Sequence, residues 1–404
     1  MAAAEHPWLR TLALLAVAAV LTVAAMRGAD LAPPRFVLPP TQNTTGTLPD
    51  FSQQLLPARA AAPSVHAATV VELPDGDLLA AWFGGSHEGA RDVHIYLSRE
   101  HAGQWSRPRA VAGRLSTQRE TLRFTRMTGN PVLFFGGDGR LYLIYVSVSI
   151  GGWAGSTLNE MVSGDDGAHW GPVRRLITTP MFNISTLVKE NPVPLTDGSV
   201  ALPVYNESMG IFGEWLRLGP HGRLLHRYRI DAGTDSLQPA LVPVGPSQAF
   251  AYMRYAGPAP NRILVSGTRD GGRTWSAPQR LKLANPNSAV AALRLSNGQI
   301  LMAYNPEPDN RSVLALALSD DGIHFTRVAT LAASANSEAE FSYPYMIQHG
   351  DRVDIVYTWW RRRIAHASFN VAWLQARAQA ARKDPSAAHQ PLADWPPPGN
   401  GDGH

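Results

Sequence analysis

The chain has 404 residues, 45% hydrophobic and 17% charged, which excludes a disordered polymer and leaves room for one large domain or two ordinary ones. Its formal net charge of +4 comes from dispersed Lys and Arg without a basic run, so nucleic acid is not an expected partner. Cysteine is absent, which removes disulfides, thiolate catalysis and Cys-based zinc sites together.

From the N-terminus, Leu9 to Met26 is apolar but for Arg10 and two threonines. Arg10 before the densest apolar run suits a signal anchor or signal peptide. Ala24-Ala25-Met26 is only a fair cleavage site, so residues 1–28 are expected to be an uncleaved N-terminal signal anchor or transmembrane helix. A cleaved, secreted form is the alternative, and either way the remainder is exported, periplasmic or extracellular. Residues 29–63, rich in Pro, Thr, Gln and Ala, read as a linker. The folded body is expected over 64–370, followed by a short helix from Val371 to Arg382 and a disordered tail to residue 404.

Within the body a turn signal followed by an apolar strand recurs six times. It stands as L-P-D-G-D-L-L-A-A-W at 73, G-G-D-G-R-L-Y-L-I-Y at 136 and L-T-D-G-S-V-A-L-P-V at 195. It returns as V-G-P-S-Q-A-F-A-Y-M at 244, L-S-N-G-Q-I-L-M-A-Y at 295 and Q-H-G-D-R-V-D-I-V-Y at 348. Each reads as a hairpin, and the markers Gly76, Gly139, Gly198, Pro246, Gly298 and Gly350 lie 63, 59, 48, 52 and 52 residues apart. A second motif keeps phase with the first. S-G-D-D-G-A-H-W at 163 and T-R-D-G-G-R-T-W at 268 place an indole 31 residues after Gly139 and 29 after Pro246. Degenerate copies put Trp105 and Phe325 29 and 27 residues after Gly76 and Gly298. Six units of about four strands predict an all-β, six-bladed β-propeller. The acids of these turns are expected to accept backbone N–H bonds, with the indoles packed between blades, as staples and not as catalysts.

The S/T-x-D-x-G-x-x-W turns on this frame resemble the Asp-boxes, or BNR repeats, of the sialidase superfamily, over roughly residues 65–370. That resemblance implies three arginines clamping a substrate carboxylate, a Tyr activated by a Glu as nucleophile, and an acid/base Asp near the first blade. Carried over, Arg254 in A-Y-M-R and Arg311 in N-P-E-P-D-N-R match two clamp arginines, and Tyr343 in E-F-S-Y-P matches the tyrosine. F-G-G-S-H-E-G-A-R-D-V-H-I-Y matches the acid/base segment, with Glu88 or Asp92 as its carboxylate. Two positions depart from the pattern. His66 in S-V-H-A-A-T replaces the first arginine, and Gln238 stands sixteen residues before Arg254 where the activating Glu belongs. The string H-A-A-T, E-N-P, Q-P, N-P-N-S and Y-T-W is closer to the sialidase-like branch, some of whose members act on acidic polysaccharides as hydrolases or lyases.

His66 is therefore a candidate acid/base, and Glu340 a candidate replacement for the missing activator of Tyr343. Asn285 and Asn287 in N-P-N-S, with Glu207 in Y-N-E-S, either line the pocket or cap turns. Of Arg361-Arg362-Arg363, Arg361 is expected to supply a pocket guanidinium. Thirteen histidines carry no H-E-x-x-H spacing, so no metal and no cofactor is expected. The expected function is that of an exported, exo-acting glycosidase on a glycan containing sialic or uronic acid. A uronate polysaccharide lyase and a non-catalytic glycan-binding propeller are the alternatives. The expected partners are an acidic oligo- or polysaccharide and, through the N-terminal helix, a membrane; the body is expected to be monomeric.

Overall fold

The computed structural model describes residues 8, 11–18, 32–41, 47–179, 183–208, 210–230 and 235–392. Six antiparallel sheets follow one another along the chain, each beginning at its innermost strand. Blade one starts with Ser64–Glu72, blade two with Met127–Phe135, blade three with Leu187–Val188 and Val193–Pro194. Blade four starts with Ser236–Pro243, blade five with Ala291–Arg294 and blade six with Phe341–His349. The predicted six-bladed propeller is the observed fold.

The first hairpin of each blade forms where the turn residues require it. In four of them the N–H of Gly76, Gly139, Gly198 or Gly298 closes the turn onto a carbonyl three residues back, at 2.8–3.1 Å. All four have φ between 73° and 92°, a left-handed conformation that glycine adopts without steric cost.

The Asp-box turns are staples. Asp165 Oδ1 accepts from Ser163 Oγ and His169 N–H, at 2.8 and 2.9 Å. Asp270 Oδ1 accepts from Thr268 Oγ1 and Thr274 N–H, both at 2.9 Å. Thr268 Oγ1 in turn accepts from Gly272 N–H at 3.0 Å. Each box aromatic then packs back onto the preceding blade. Trp170 joins a cluster with Leu79, Ala81 and Leu97 of blade one, and Trp275 one with Trp215 and Ala201 of blade three. Phe325 meets Tyr252 edge-on at 5.6 Å, and Trp105 packs against Val356 and Ile364 of blade six.

The ring closes with a strand from the stretch expected to be linker. Phe51–Leu55 pairs antiparallel with Arg363–Asn370, supplying the outer strand of blade six. Upstream, Phe36 is buried between blades three and four, and its neighbours bond to Pro194 and Thr196. F-S-Q-Q-L lacks a turn signal and lies among prolines, so only its register partner reveals it as a strand.

The C-terminal helix is present as Val371–Lys383, with Asn370 Oδ1 accepting from Trp373 N–H at 2.9 Å as its N-cap. The tail expected to be disordered is docked as far as Leu392, whose N–H donates to Thr330 O at 2.9 Å; the rest lies outside the described residues. The expected membrane segment also falls largely outside them. Residues 11–18 are helical with exposed leucines, and among the described residues no helix is long and apolar enough to cross a membrane.

Asp270→Ala should strip the turn of three hydrogen bonds that its carboxylate accepts, from Thr268 Oγ1, Thr274 N–H and Thr274 Oγ1, and lower stability by about 1–2 kcal/mol, read as a drop in Tm by calorimetry. Ligand affinity of the folded protein should not change; loss of binding with unchanged melting would remove the staple assignment.

Candidate functional site at the N-terminal ends of the inner strands

Because all inner strands run the same way from the same end, their first residues gather at one mouth of the axis. Four of them slip register near the start: between His66 and Thr69, Gly129 and Val132, Leu237 and Ala240, and Ser342 and Tyr345. At each slip one residue takes a left-handed backbone: Ala67 (φ 52°), Asn130 (43°), Gln238 (53°) and Tyr343 (53°). Three of these precede a proline, which itself disfavours helical backbone in the residue before it. Such positions cost on the order of 1–3 kcal/mol each and persist where the surroundings overdetermine them. A bulge re-aims a side chain. Here the bulges bring Asn130, Gln238 and Tyr343 into one bonded network.

Tyr343 is its centre. Its phenol oxygen accepts from Gln238 Nε2 and from Arg254 Nη1, both at 3.2 Å. Arg254 Nη1 also donates to Gln238 Oε1 at 3.4 Å, which fixes the amide orientation, and Arg254 Nε donates to Asn287 Oδ1. Tyr205 Oη accepts from Gln238 and from Asn130, each at 3.4 Å. The His66 ring lies 4.1 Å from the Tyr343 ring, centroid to centroid. Lys189, buried, donates to Pro344 O and to Glu190, and stands 5.9 Å from the centre of the Tyr343 ring.

The other two arginines meet at one carboxylate. Arg311 Nη1 donates to Glu340 Oε1 at 3.0 Å and Arg361 Nε to Glu340 Oε2 at 2.6 Å. Ser342 Oγ donates to the same carboxylate at 2.6 Å, and Arg361 also bonds Glu88. Arg311 Nη2 donates to Asn287 O at 3.0 Å, joining the two halves of the network. Arg254 alone of the three bonds to no carboxylate among the described residues. Arg254 stands near the end of the second strand of blade four, Ala249–Tyr255, and Arg311 and Arg361 at the junctions between the second and third strands of blades five and six.

Electrostatics sort the titrating groups. His66 is 2% exposed, and burial, followed by the charge of Arg361, pushes its pKa well below the ordinary value, so the ring is neutral. Its Nδ1 shares a 2.9 Å bond with Thr358 Oγ1, and its Nε2 has no partner among the described residues. Burial opposes the charge of Glu340, but its surroundings hold the carboxyl at about 2. The His66 ring lies beside it but is uncharged near neutrality, so the bond and charge of Arg361 carry the effect. Glu207 moves the other way, raised by burial against the pull of Arg254. Burial also lifts Glu190 to about 7, although Lys189 bonds it.

The network thus gathers His66, Glu88, Gln238, Arg254, Asn287, Arg311, Glu340, Tyr343 and Arg361 from blades one, four, five and six. Three of the expected residues, Asp92, Asn285 and Glu207, stay apart. Asp92 accepts from Ser86 N–H and Ser86 Oγ, both at 3.0 Å, and holds its own loop. Asn285 caps a turn through Ser288 N–H at 2.8 Å. Glu340 does not touch Tyr343; its oxygens point to the arginines. Glu207 is bound through its backbone to Ser185 Oγ at 2.8 Å, while its carboxyl bonds to no other described residue. Asn130, Tyr205, Lys189, Glu190 and Thr358 were missed from sequence. A polar residue followed by proline just inside an inner strand, as in N-P at 130, is the signal that would have found the first.

A neutral buried His66 sets the sign of one pH effect. Below about pH 6.5 the unfolded chain protonates this histidine and the folded chain does not, so the unfolded state binds more protons and stability falls as pH falls. The Tm of the wild type should therefore drop more steeply from pH 7 towards 5 than that of His66→Gln; parallel profiles would remove the neutral-histidine assignment.

Against known proteins, the BNR repeat-like domain profile matches residues 76–355. No curated protein matches the chain. Among solved structures, the fold is similar to a Hadza microbial sialidase at TM-score 0.63 and 15% identity, covering 77% of this chain and 66% of that one. The chain thus spans just under two thirds of that sialidase. It is also similar to an intramolecular trans-sialidase from Ruminococcus gnavus in complex with oseltamivir carboxylate, at TM-score 0.60 and 13% identity, covering 80% and 98%. A protein of unknown function from Dyadobacter fermentans superposes at TM-score 0.62 with 13% identity, covering 80% and 100%.

Proposed function

This chain belongs to the BNR repeat-like domain family, and from that premise we propose that it is a sialidase-like carbohydrate-active enzyme that cleaves a carboxylate-bearing glycan at the propeller axis. The observation that carries this reading is the convergence of Arg254, Arg311 and Arg361 in one network around Tyr343. Guanidinium forks suit a planar carboxylate, and Arg254, without a bonded carboxylate, is the one free to receive it. Glu340 spaces the other two, bonding one with each carboxylate oxygen.

The proposed chemistry is hydrolysis. Glu88 is ion-paired with Arg361 and Asp92 is held by Ser86, so neither is placed to carry a proton to a leaving oxygen. Glu207, whose carboxyl burial keeps protonated to higher pH, takes that role. It protonates the glycosidic oxygen, which leaves with the bonding electron pair. Tyr343 faces the oxocarbenium-like centre, and water adds there, passing its proton to neutral His66 or to solvent.

A second reading is favoured by Gln238. The group bonded to Tyr343 is an amide that cannot accept its proton, while His66 presents an unbonded Nε2 beside the same ring. In that pair His66 Nε2 takes the proton alpha to a uronate carboxylate, the C–H electron pair becomes the new double bond, and the leaving oxygen departs with the C–O pair and takes a proton from the Tyr343 phenol. New absorbance at the ultraviolet band of an unsaturated uronate during digestion of polyuronates assigns elimination. Reducing ends without that band assign hydrolysis.

If Arg254 receives the carboxylate, Arg254→Ala should weaken binding of acidic glycans roughly tenfold to a hundredfold and leave neutral glycans unaffected, as measured by titration calorimetry. Arg254→Lys should restore only part, since an ammonium cannot make the two-pronged contact. Equal losses for acidic and neutral ligands would falsify the clamp.

Export belongs to the same proposal, supported by the apolar run from Thr11 to Met26. The full-length protein in its host should resist alkaline extraction from membranes, with the propeller open to external protease; recovery in the soluble cytoplasmic fraction would overturn it.

A further inference from the structure

Arginines crowd the segment that links blades one and two on the site face. Residues 114–126, which link blades one and two, carry Arg114, Arg119, Arg123 and Arg126 against a single acid, Glu120. At the end of this segment a cavity of about 470 Å³ opens between Arg126 and the loop from Ser86 to Asp92. His87 and Arg91 line it as well. Both arginines are exposed, and no carboxylate bonds either of them among the described residues. The one acid in the lining, Asp92, already has its oxygens on Ser86.

The cavity is tied to the axial network through its loop. Glu88, in the same loop, reaches Arg361 of the central network. It also continues outward. Arg126 Nη1 donates to Gly151 O at 3.1 Å, and Ser149 Oγ donates to Phe124 O at 2.6 Å, so the two junction loops hold each other. Beyond them Arg123 lies close enough to Arg175 that, after burial, its charge is what lowers the Arg175 pKa. Between these arginines Phe124 is 57% exposed and presents an apolar ring face to solvent.

We propose that Arg91 and Arg126 form a second carboxylate subsite, so that the ligand is an acidic oligosaccharide running from the axial clamp across the junction of blades one and two. This rests on the axial reading above and extends it from one acidic sugar to at least two.

The test is titration calorimetry on the full-length protein with galacturonate against tetragalacturonate, and N-acetylneuraminate against its α2,8-linked tetramer. For at least one pair the wild type should bind the tetramer at least about tenfold more tightly than the monomer. The double variant Arg91→Ala/Arg126→Ala should lose that advantage, dropping tetramer affinity about ten- to a hundredfold with monomer affinity unchanged. The exposed Arg91→Glu single variant, which leaves the Arg126 bond to Gly151 in place, should show the same selective loss. Equal binding of monomer and tetramer by the wild type, or variants indistinguishable from it, overturns the subsite and leaves the clamp standing. Absence of any binding by the wild type overturns the axial reading and this one with it. Parallel loss of affinity for a single-stranded DNA dodecamer overturns the glycan assignment in favour of a general polyanion surface.

Discussion

The site depends on a backbone constraint. Tyr343, Gln238 and Asn130 each sit in left-handed conformation immediately before a proline, where a regular strand would have turned the side chain away from the axis. The register slip at these points converts a repeating sheet into an inward-aimed residue without lengthening the blade. Everything chemical at the mouth follows from it. The phenol oxygen of Tyr343 can lie 3.2 Å from both Gln238 and Arg254 only because strands of blades four and six slip at matching heights.

Around that centre the molecule handles charge by sharing it. Glu340 serves two guanidinium groups with its two oxygens, and Ser342 secures the same carboxylate. Burial would neutralise an isolated carboxyl here, but the arginines keep this one ionised. The neighbouring histidine has no such partner and gives up its charge instead. Lys189 and Glu190, adjacent in sequence and both buried, form a further pair under Pro344. One small volume thus contains acids and bases at very different poise, as catalytic sites require.

The blades were legible in sequence because tight hairpins and Asp-boxes demand particular residues at particular offsets, and the demand repeats. Arg254, Arg311 and Tyr343 were legible through the family pattern, and Arg361 through an arginine run at a strand end. The roles of Glu340 and Glu88 were not, since which group a carboxylate meets depends on how blades five, six and one converge. Lys189 gave no signal either, because a lysine beside a glutamate usually marks a solvated surface. The closing strand Phe51–Leu55 was hidden for a related reason: its evidence lies at the far end of the chain.

That closing strand makes the ring a late event in folding. Asp50 N–H bonds to Asn370 Oδ1 across a separation of 320 positions, and Phe51 finds its partner Phe369 only once the last blade exists. Bringing ends so distant together costs about 5 kcal/mol in chain entropy before any contact compensates. Blades, whose strands are neighbours in sequence, assemble first, and the circle waits for the final one. Until then the axial mouth is a gap without its sixth wall, lacking Tyr343, Glu340 and Arg361. Binding competence therefore arrives all at once, with the sixth blade.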